Sequence, residues 1–301
     1  MRALVASILA SVTIGVGAAA GQTVAPLGMV ENPCVAPVPI PPRLGEMMSR
    51  MLEPAQPLDP AFPAALAASP EMVEYQKQDA ERAKRDWPNL CRYAEDDAMV
   101  RASARPIDVV FLGDSITEIW SSADPRFFSN GIVNRGIGGQ TSSQMLLRFH
   151  ADVVSLKPKI VHILAGTNDI AGNTGPTSVQ NYENNITAMV EMARANGIRV
   201  VIGSIPPAAA FAWRPSVQPR PRIAELNAWL ARFARQNRIT FIDYHAVLTE
   251  PDGSMLSKLT NDGVHPNRDG YARMKPILLQ ALTTLHRSQH TERPRHHARR
   301  P

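Results

Sequence analysis

The sequence predicts an α/β protein built on a parallel sheet with helices on both faces. Three observations carry that prediction. From residue 106 onward, short apolar runs alternate with amphipathic stretches of helical period. The apolar runs are nearly continuous, as strands buried on both faces require. Several of them end in polar or glycine-containing loops, and the carboxyl ends of strands are where open α/β sheets hold ligands.

The chain of 301 residues has room for one such domain of about 180–200 residues plus extensions. Residues 1–21 have the pattern of a signal peptide: Arg2, an apolar stretch from Ala3 to Val16, then small residues Gly17 to Gly21. The apolar stretch is short for a membrane span. The expected location is therefore periplasmic or secreted, after cleavage near Ala20. Gly15 to Ala20 also fits G-x-G-x-x-A, but no strand precedes it, so a dinucleotide site is discarded.

In an exported chain, Cys34 and Cys91 are expected to form a disulfide; the alternative is two free thiols. Residues 22–70 hold eleven prolines, which predicts an extended segment over the surface with no helical or sheet core. Ser69-Pro70 begins a helix with Ser as its cap, Trp87-Pro88 interrupts it, and a second helical stretch spans about 90–102. Residues 22–105 thus read as a proline-rich and helical N-terminal wrap.

Strands are predicted at Ile107–Leu112, Gly131–Asn134, Ile160–Ala165, Arg199–Ile205 and Thr240–Tyr244. Between them, Val179, Tyr182, Ile186, Met189, Val190 and Ala193 recur at helical spacing, as do Ile223, Leu226, Trp229, Leu230 and Phe233. A last helix is predicted over about 268–286, and residues 287–301 form a basic tail expected to be disordered. That tail carries +4 of the formal net charge of +5, which leaves a nearly neutral body and argues against nucleic acid as a partner.

Four loops carry the chemistry. Gly113-Asp114-Ser115-Ile116 follows the first strand, and Ser115 reads either as a helix cap or as a group aimed at a ligand. Gly136-Ile137-Gly138-Gly139 follows the second, either as a tight turn or as the source of an oxyanion donor, the Gly139 N–H. Gly166-Thr167-Asn168-Asp169 follows the third; Asn168 can cap a helix or donate to an oxyanion. Asp262-Gly263-Val264-His265-Pro266 precedes the last helix and brings a carboxylate to an imidazole. No Cys, His or Glu cluster completes a metal site around that pair, so no metal or other cofactor is expected. After the fourth strand, Phe211 and Trp213 read either as a wall of the site or as packing.

These four blocks, in this order, resemble the SGNH (GDSL-type) hydrolase family over residues 106–286, and the first two are similar to its platelet-activating-factor acetylhydrolase-like branch. The resemblance implies a flavodoxin-like three-layer α/β/α sandwich with strand order 2-1-3-4-5. It also implies a serine esterase or acylhydrolase with Ser115 as nucleophile, His265 as base and Asp262 as its partner. The Ser115 and Gly139 amides and the Asn168 side chain would form the oxyanion hole. The branch favours small acyl groups such as acetyl on a carbohydrate or lipid. The alternatives are a lysophospholipase or thioesterase acting on longer chains, and a non-catalytic binder of glycan or lipid on the same scaffold.

Overall fold

The computed structural model describes residues 28–34, 37–54, 56–59 and 61–291. The expected signal peptide and the tail beyond residue 291 lie outside the described residues. The chain divides into two units, residues 1–36 and 37–301. Neither Cys34 nor Cys91 is free: both are disulfide-bonded, and the sequence has no other cysteine.

In chain order the elements are α1 (Pro42–Leu52), α2 (Ala61–Ala67), α3 (Pro70–Arg85), α4 (Ala94–Ala102), β1 (Val109–Gly113), α5 (Ser115–Ala123), β2 (Ile132–Gly136), α6 (Ser142–Asp152), β3 (Ile160–Leu164), α7 (Thr167–Ala171), α8 (Val179–Ala195), β4 (Arg199–Gly203), α9 (Pro219–Gln236), β5 (Thr240–Ile242), α10 (Tyr244–Leu248) and α11 (Arg268–Thr291). The five strands pair in parallel in the order β2-β1-β3-β4-β5.

Successive strand residues point to opposite faces, so each strand feeds two cores. Val110, Leu112, Val161, Ile163, Val200 and Ile202 pack with Phe149, Tyr182, Ile186 and Leu226 from α6, α8 and α9. Val109, Phe111, Ile160, Leu164 and Val201 pack on the other face with Ile119 and Trp120 of α5 and Met274 and Leu278 of α11. The result is the three-layer α/β/α sandwich.

Two expectations need correction. The proline-rich stretch contains helices: α1 starts at Pro42, with Pro41 as its cap, and α2 follows at Ala61. Proline is compatible with a first helical turn, where no intrahelical N–H is needed, and residues 43–53 contain none. Met51 and Leu52 of α1 then join the second core. The helical stretch before β1 also starts later than expected, because Leu90–Arg92 is a single 3₁₀ turn after Asn89 at φ 58° and α4 begins only at Ala94. Among smaller differences, α3 is capped by Ser69 as expected, whereas α11 runs to Thr291 rather than ending at 286.

Candidate active site

Strand register builds the site. Gly113, Gly136 and Leu164 lie side by side at the carboxyl edge of β1, β2 and β3. The next few residues of each strand therefore converge, bringing Ser115, Gly139 and Asn168 to one edge. Here the chain order reverses about β1, the usual ligand position of such a sheet. Gly136 must be glycine, because a Cβ there would lie 2.2 Å from the Glu118 amide nitrogen of α5. That close approach seats the N-terminus of α5 beside the loop after β2.

Ser115 is the first residue of α5. Asp114 caps the helix, its Oδ1 accepting from the Ile116 N–H at 2.9 Å. The Ser115 amide is among the first N–H groups of the helix, which have no intrahelical acceptor. Its hydroxyl Oγ lies 2.8 Å from His265 Nε2.

His265 is carried by a loop closed on itself. Asp262 Oδ1 accepts from the Val264 and His265 N–H groups at 2.9 and 2.8 Å, while Oδ2 faces His265 Nδ1 at 2.6 Å. Thr260 Oγ1 donates to the His265 carbonyl (2.7 Å) and accepts from the Gly263 N–H (3.0 Å). With Nδ1–H donating to Asp262, Nε2 is left as an acceptor for the serine hydroxyl. Burial alone would raise the Asp262 carboxyl, but the His265 charge and its hydrogen bonds outweigh this and hold it at about 2. Burial pulls His265 down, and the Asp262 charge and hydrogen bond, with Asp114, more than reverse it, so its pKa is raised above 6.5. Burial pushes Asp114 up to about 7, against the Ile116 hydrogen bond and the His265 charge.

In the loop after β2, the Gly138 N–H is taken by Glu118 Oε2 at 2.7 Å. Among the described residues the Gly139 N–H meets no acceptor, and this residue sits at φ +76°, the left-handed region that suits glycine. Asn168 Nδ2 donates to the Gln140 carbonyl (3.1 Å) and to Asp114 Oδ2 (3.3 Å). The neighbouring Asp169 accepts from the Ser142 N–H and hydroxyl, tying α7 to α6.

The two aromatic candidates separate. Phe211 is fully buried, which favours the packing alternative for this residue. Trp213 is 38% exposed and stacks on Phe211 at 5.0 Å, and its Nε1 donates to Asn173 Oδ1 at 3.0 Å.

Sequence reasoning missed the supports. Fully buried Arg148 donates to Gln140 Oε1, Asp152 Oδ2, the Arg135 carbonyl and the Gly113 carbonyl, joining β1 to the glycine loop. A buried guanidinium with every bond directed in this way is tolerated because its charge is paired. Its one signal in the sequence is the i, i+4 spacing of Arg148 and Asp152. Residues before β1 brace the same loop. Tyr93 donates to the Gly136 carbonyl (2.5 Å), the Pro88 carbonyl accepts from Gln140 (2.8 Å), and Arg92 pairs with Glu118 (3.1 Å). Asn261, next to Asp262, donates to the Glu53 and Arg50 carbonyls at the end of α1. Among the described residues, no group of three His, Cys, Asp or Glu side chains could hold a metal ion, and no helix is long and apolar enough to cross a membrane.

The class of protein that this fold and constellation define is a carboxylic ester hydrolase. More particularly, the chain belongs to the GDSL-like lipase/acylhydrolase family, whose model matches residues 111–273. A GDSL-like lipase from Bacteroides thetaiotaomicron is 41% identical, with 66% of this chain and 98% of that one covered and a TM-score of 0.63. A Bacteroides fragilis protein assigned as an acylhydrolase is 45% identical at the same coverage, with a TM-score of 0.64. Esterase TesA of Pseudomonas aeruginosa is 28% identical over 135 residues, which is 45% of this chain and 61% of TesA. YqeF, an uncharacterized lipoprotein of Bacillus subtilis, is 40% identical over 74 residues, 24% of this chain and 30% of YqeF. The chain thus spans less than two thirds of either of these last two relatives.

Proposed function

We propose that the protein is an exported serine esterase that removes short acyl groups, acetyl first among them, through an acyl-enzyme. The observation that carries this reading is the unbroken line from Ser115 Oγ through His265 to Asp262, with contacts of 2.8 and 2.6 Å. Ser115 Oγ attacks the ester carbonyl as its proton passes to His265 Nε2, and Asp262 supports the imidazolium. The oxyanion meets the Ser115 and Gly139 N–H groups and Asn168 Nδ2. Asn168 turns to it by giving up its longer bond, the 3.3 Å contact with Asp114. His265 returns the proton to the leaving alcohol, then activates the water that frees the acid and Ser115.

Polar loops favour a small acyl group on a hydrophilic alcohol: Asn168, Asn173, Thr141 and Thr174 lie together, with Thr141 and Thr174 hydroxyls 3.2 Å apart. The half-exposed indole of Trp213 offers a flat face to a sugar ring. Export is supported by the apolar segment after Arg2 and by the oxidised cysteines. In this arrangement residues 106–286 are the catalytic domain, braced by Arg50, Glu53, Pro88, Arg92 and Tyr93 from the segment before it.

The test is hydrolysis of p-nitrophenyl esters from acetyl to lauroyl by the wild type and Ser115→Ala. Activity greatest on acetyl and lost in the variant is expected. A maximum on long chains would keep the mechanism and overturn the acyl preference. Equal activity in Ser115→Ala would overturn the mechanism.

A further inference from the structure

One side-chain amide joins three loops of the site. Asn173 follows α7, between Gly172 and Thr174, and takes no part in the catalytic steps above. Its amide hydrogens go to Asn168 Oδ1 (2.7 Å) and to the Gly139 carbonyl (3.2 Å). Its oxygen accepts from Trp213 Nε1 (3.0 Å). The loops after β2, β3 and β4 therefore meet at one residue, whose two donors and one acceptor are all in use.

The consequence lies in the direction of the Asn168 amide. An asparagine side chain presents an acceptor on one side and two donors on the other, and only the donor side suits an oxyanion. Asn173 places an N–H against Asn168 Oδ1, which turns Asn168 Nδ2 toward the Gln140 carbonyl and Asp114. The reversed amide would set NH₂ against NH₂ and an oxygen against the Gln140 carbonyl and the Asp114 carboxyl. Asn173 is itself held by the same logic, since the indole N–H of Trp213 demands an acceptor. Trp213 cannot swing freely, because Phe211 is buried and stacked on it with an interplanar angle of 27°.

Resting on the reading of Asn168 as an oxyanion donor, we propose that Asn173 is a positioning residue that sets the Asn168 amide and couples it to Trp213. Trp213 then acts on turnover as well as binding. Esters whose alcohol carries a ring that stacks on the indole, such as an acetylated sugar, hold the Trp213–Asn173–Asn168 chain in its productive alignment.

The experiment measures kcat, KM and thermal midpoint for Asn168→Ala, Asn173→Ala, Asn173→Asp and the Asn168→Ala/Asn173→Ala double variant. Asn173→Asp keeps an acceptor for Trp213 but offers Asn168 a carboxylate, which draws the Asn168 NH₂ away from the oxyanion. Its kcat is expected to fall about 10- to 100-fold, below the full cost of losing an oxyanion donor, while KM changes less than about threefold. In the Asn168→Ala background, adding Asn173→Ala is expected to cost less than about twofold, since the group it positions is already gone. A merely structural Asn173 would multiply its loss in either background. Wild-type kcat in Asn173→Asp, or a full multiplicative loss in the double variant, overturns the proposal. Wild-type turnover in Asn168→Ala overturns the oxyanion reading and this inference with it, a result distinct from failure of the Asn173 variants alone.

Discussion

Replacing Asp262 by Asn tests the catalytic loop without changing its shape. The Val264 and His265 N–H groups both point at Oδ1, so in the variant the amide oxygen must take that position. The amide NH₂ then occupies the place of Oδ2, 2.6 Å from His265 Nδ1 in the native protein. A donor there forces Nδ1 to accept, which moves the imidazole proton to Nε2, the nitrogen facing Ser115 Oγ. The base is lost although every atom stays in place. A wrong tautomer of this kind costs on the order of 10⁴ in turnover, about 5 kcal/mol of transition-state stabilisation. The assay is kcat/KM on p-nitrophenyl acetate, with a thermal melt to establish that the variant is folded. An Asp262→Asn enzyme that melts like the wild type and retains more than about a tenth of its activity would refute the assignment of Asp262.

Three further outcomes are expected. His265 must be neutral to accept the serine proton, and its pKa is raised, so kcat/KM should climb with pH through a midpoint above 6.5; a midpoint below 6.5 would contradict the Asp262–His265 pairing. His162, buried in β3 with Nε2 2.9 Å from the Tyr244 hydroxyl, is held by burial at about 3 rather than 6.5. Because that pKa is depressed, its contribution is complete above 6.5 and is lost as pH falls, by about 2 kcal/mol at pH 5. Urea titrations of His162→Phe should show a shallower loss of stability between pH 7.5 and pH 5, and an unchanged slope would count against this assignment. Asn261→Ala strips the end of α1 of its donor and should cost about 1–3 kcal/mol. A denaturation midpoint equal to wild type would mean that α1 does not brace the catalytic loop.

The sheet was legible because its strands are buried on both faces and stand out as continuous apolar runs, Val109–Gly113 and Ile160–Leu164 above all. Each loop alone reads equally as a cap or a turn; that Ser115 and His265 would meet was implied by the resemblance of the four ordered blocks, and the two side chains do lie 2.8 Å apart. The α1 helix was hidden by proline density; what mattered was proline position, since Pro41 and Pro42 sit at its start and the next turns contain none. Phe211 and Trp213 look alike in the sequence, two aromatics in an apolar loop, and only packing separates the buried one from the half-exposed one. Arg148 and Asn173 were illegible for a different reason. Their importance lies in partners 34 to 40 residues away or in backbone carbonyls, and the Arg148–Asp152 spacing apart, neither leaves a local pattern.

The central claim is that Ser115 is the nucleophile, and covalent labelling tests it most directly. The wild-type protein is treated with a fluorophosphonate, and intact mass is followed by peptide mapping. One adduct on Ser115 is expected, absent from Ser115→Ala and greatly slowed in His265→Ala. An adduct on another residue, or unchanged labelling in Ser115→Ala, would contradict the account.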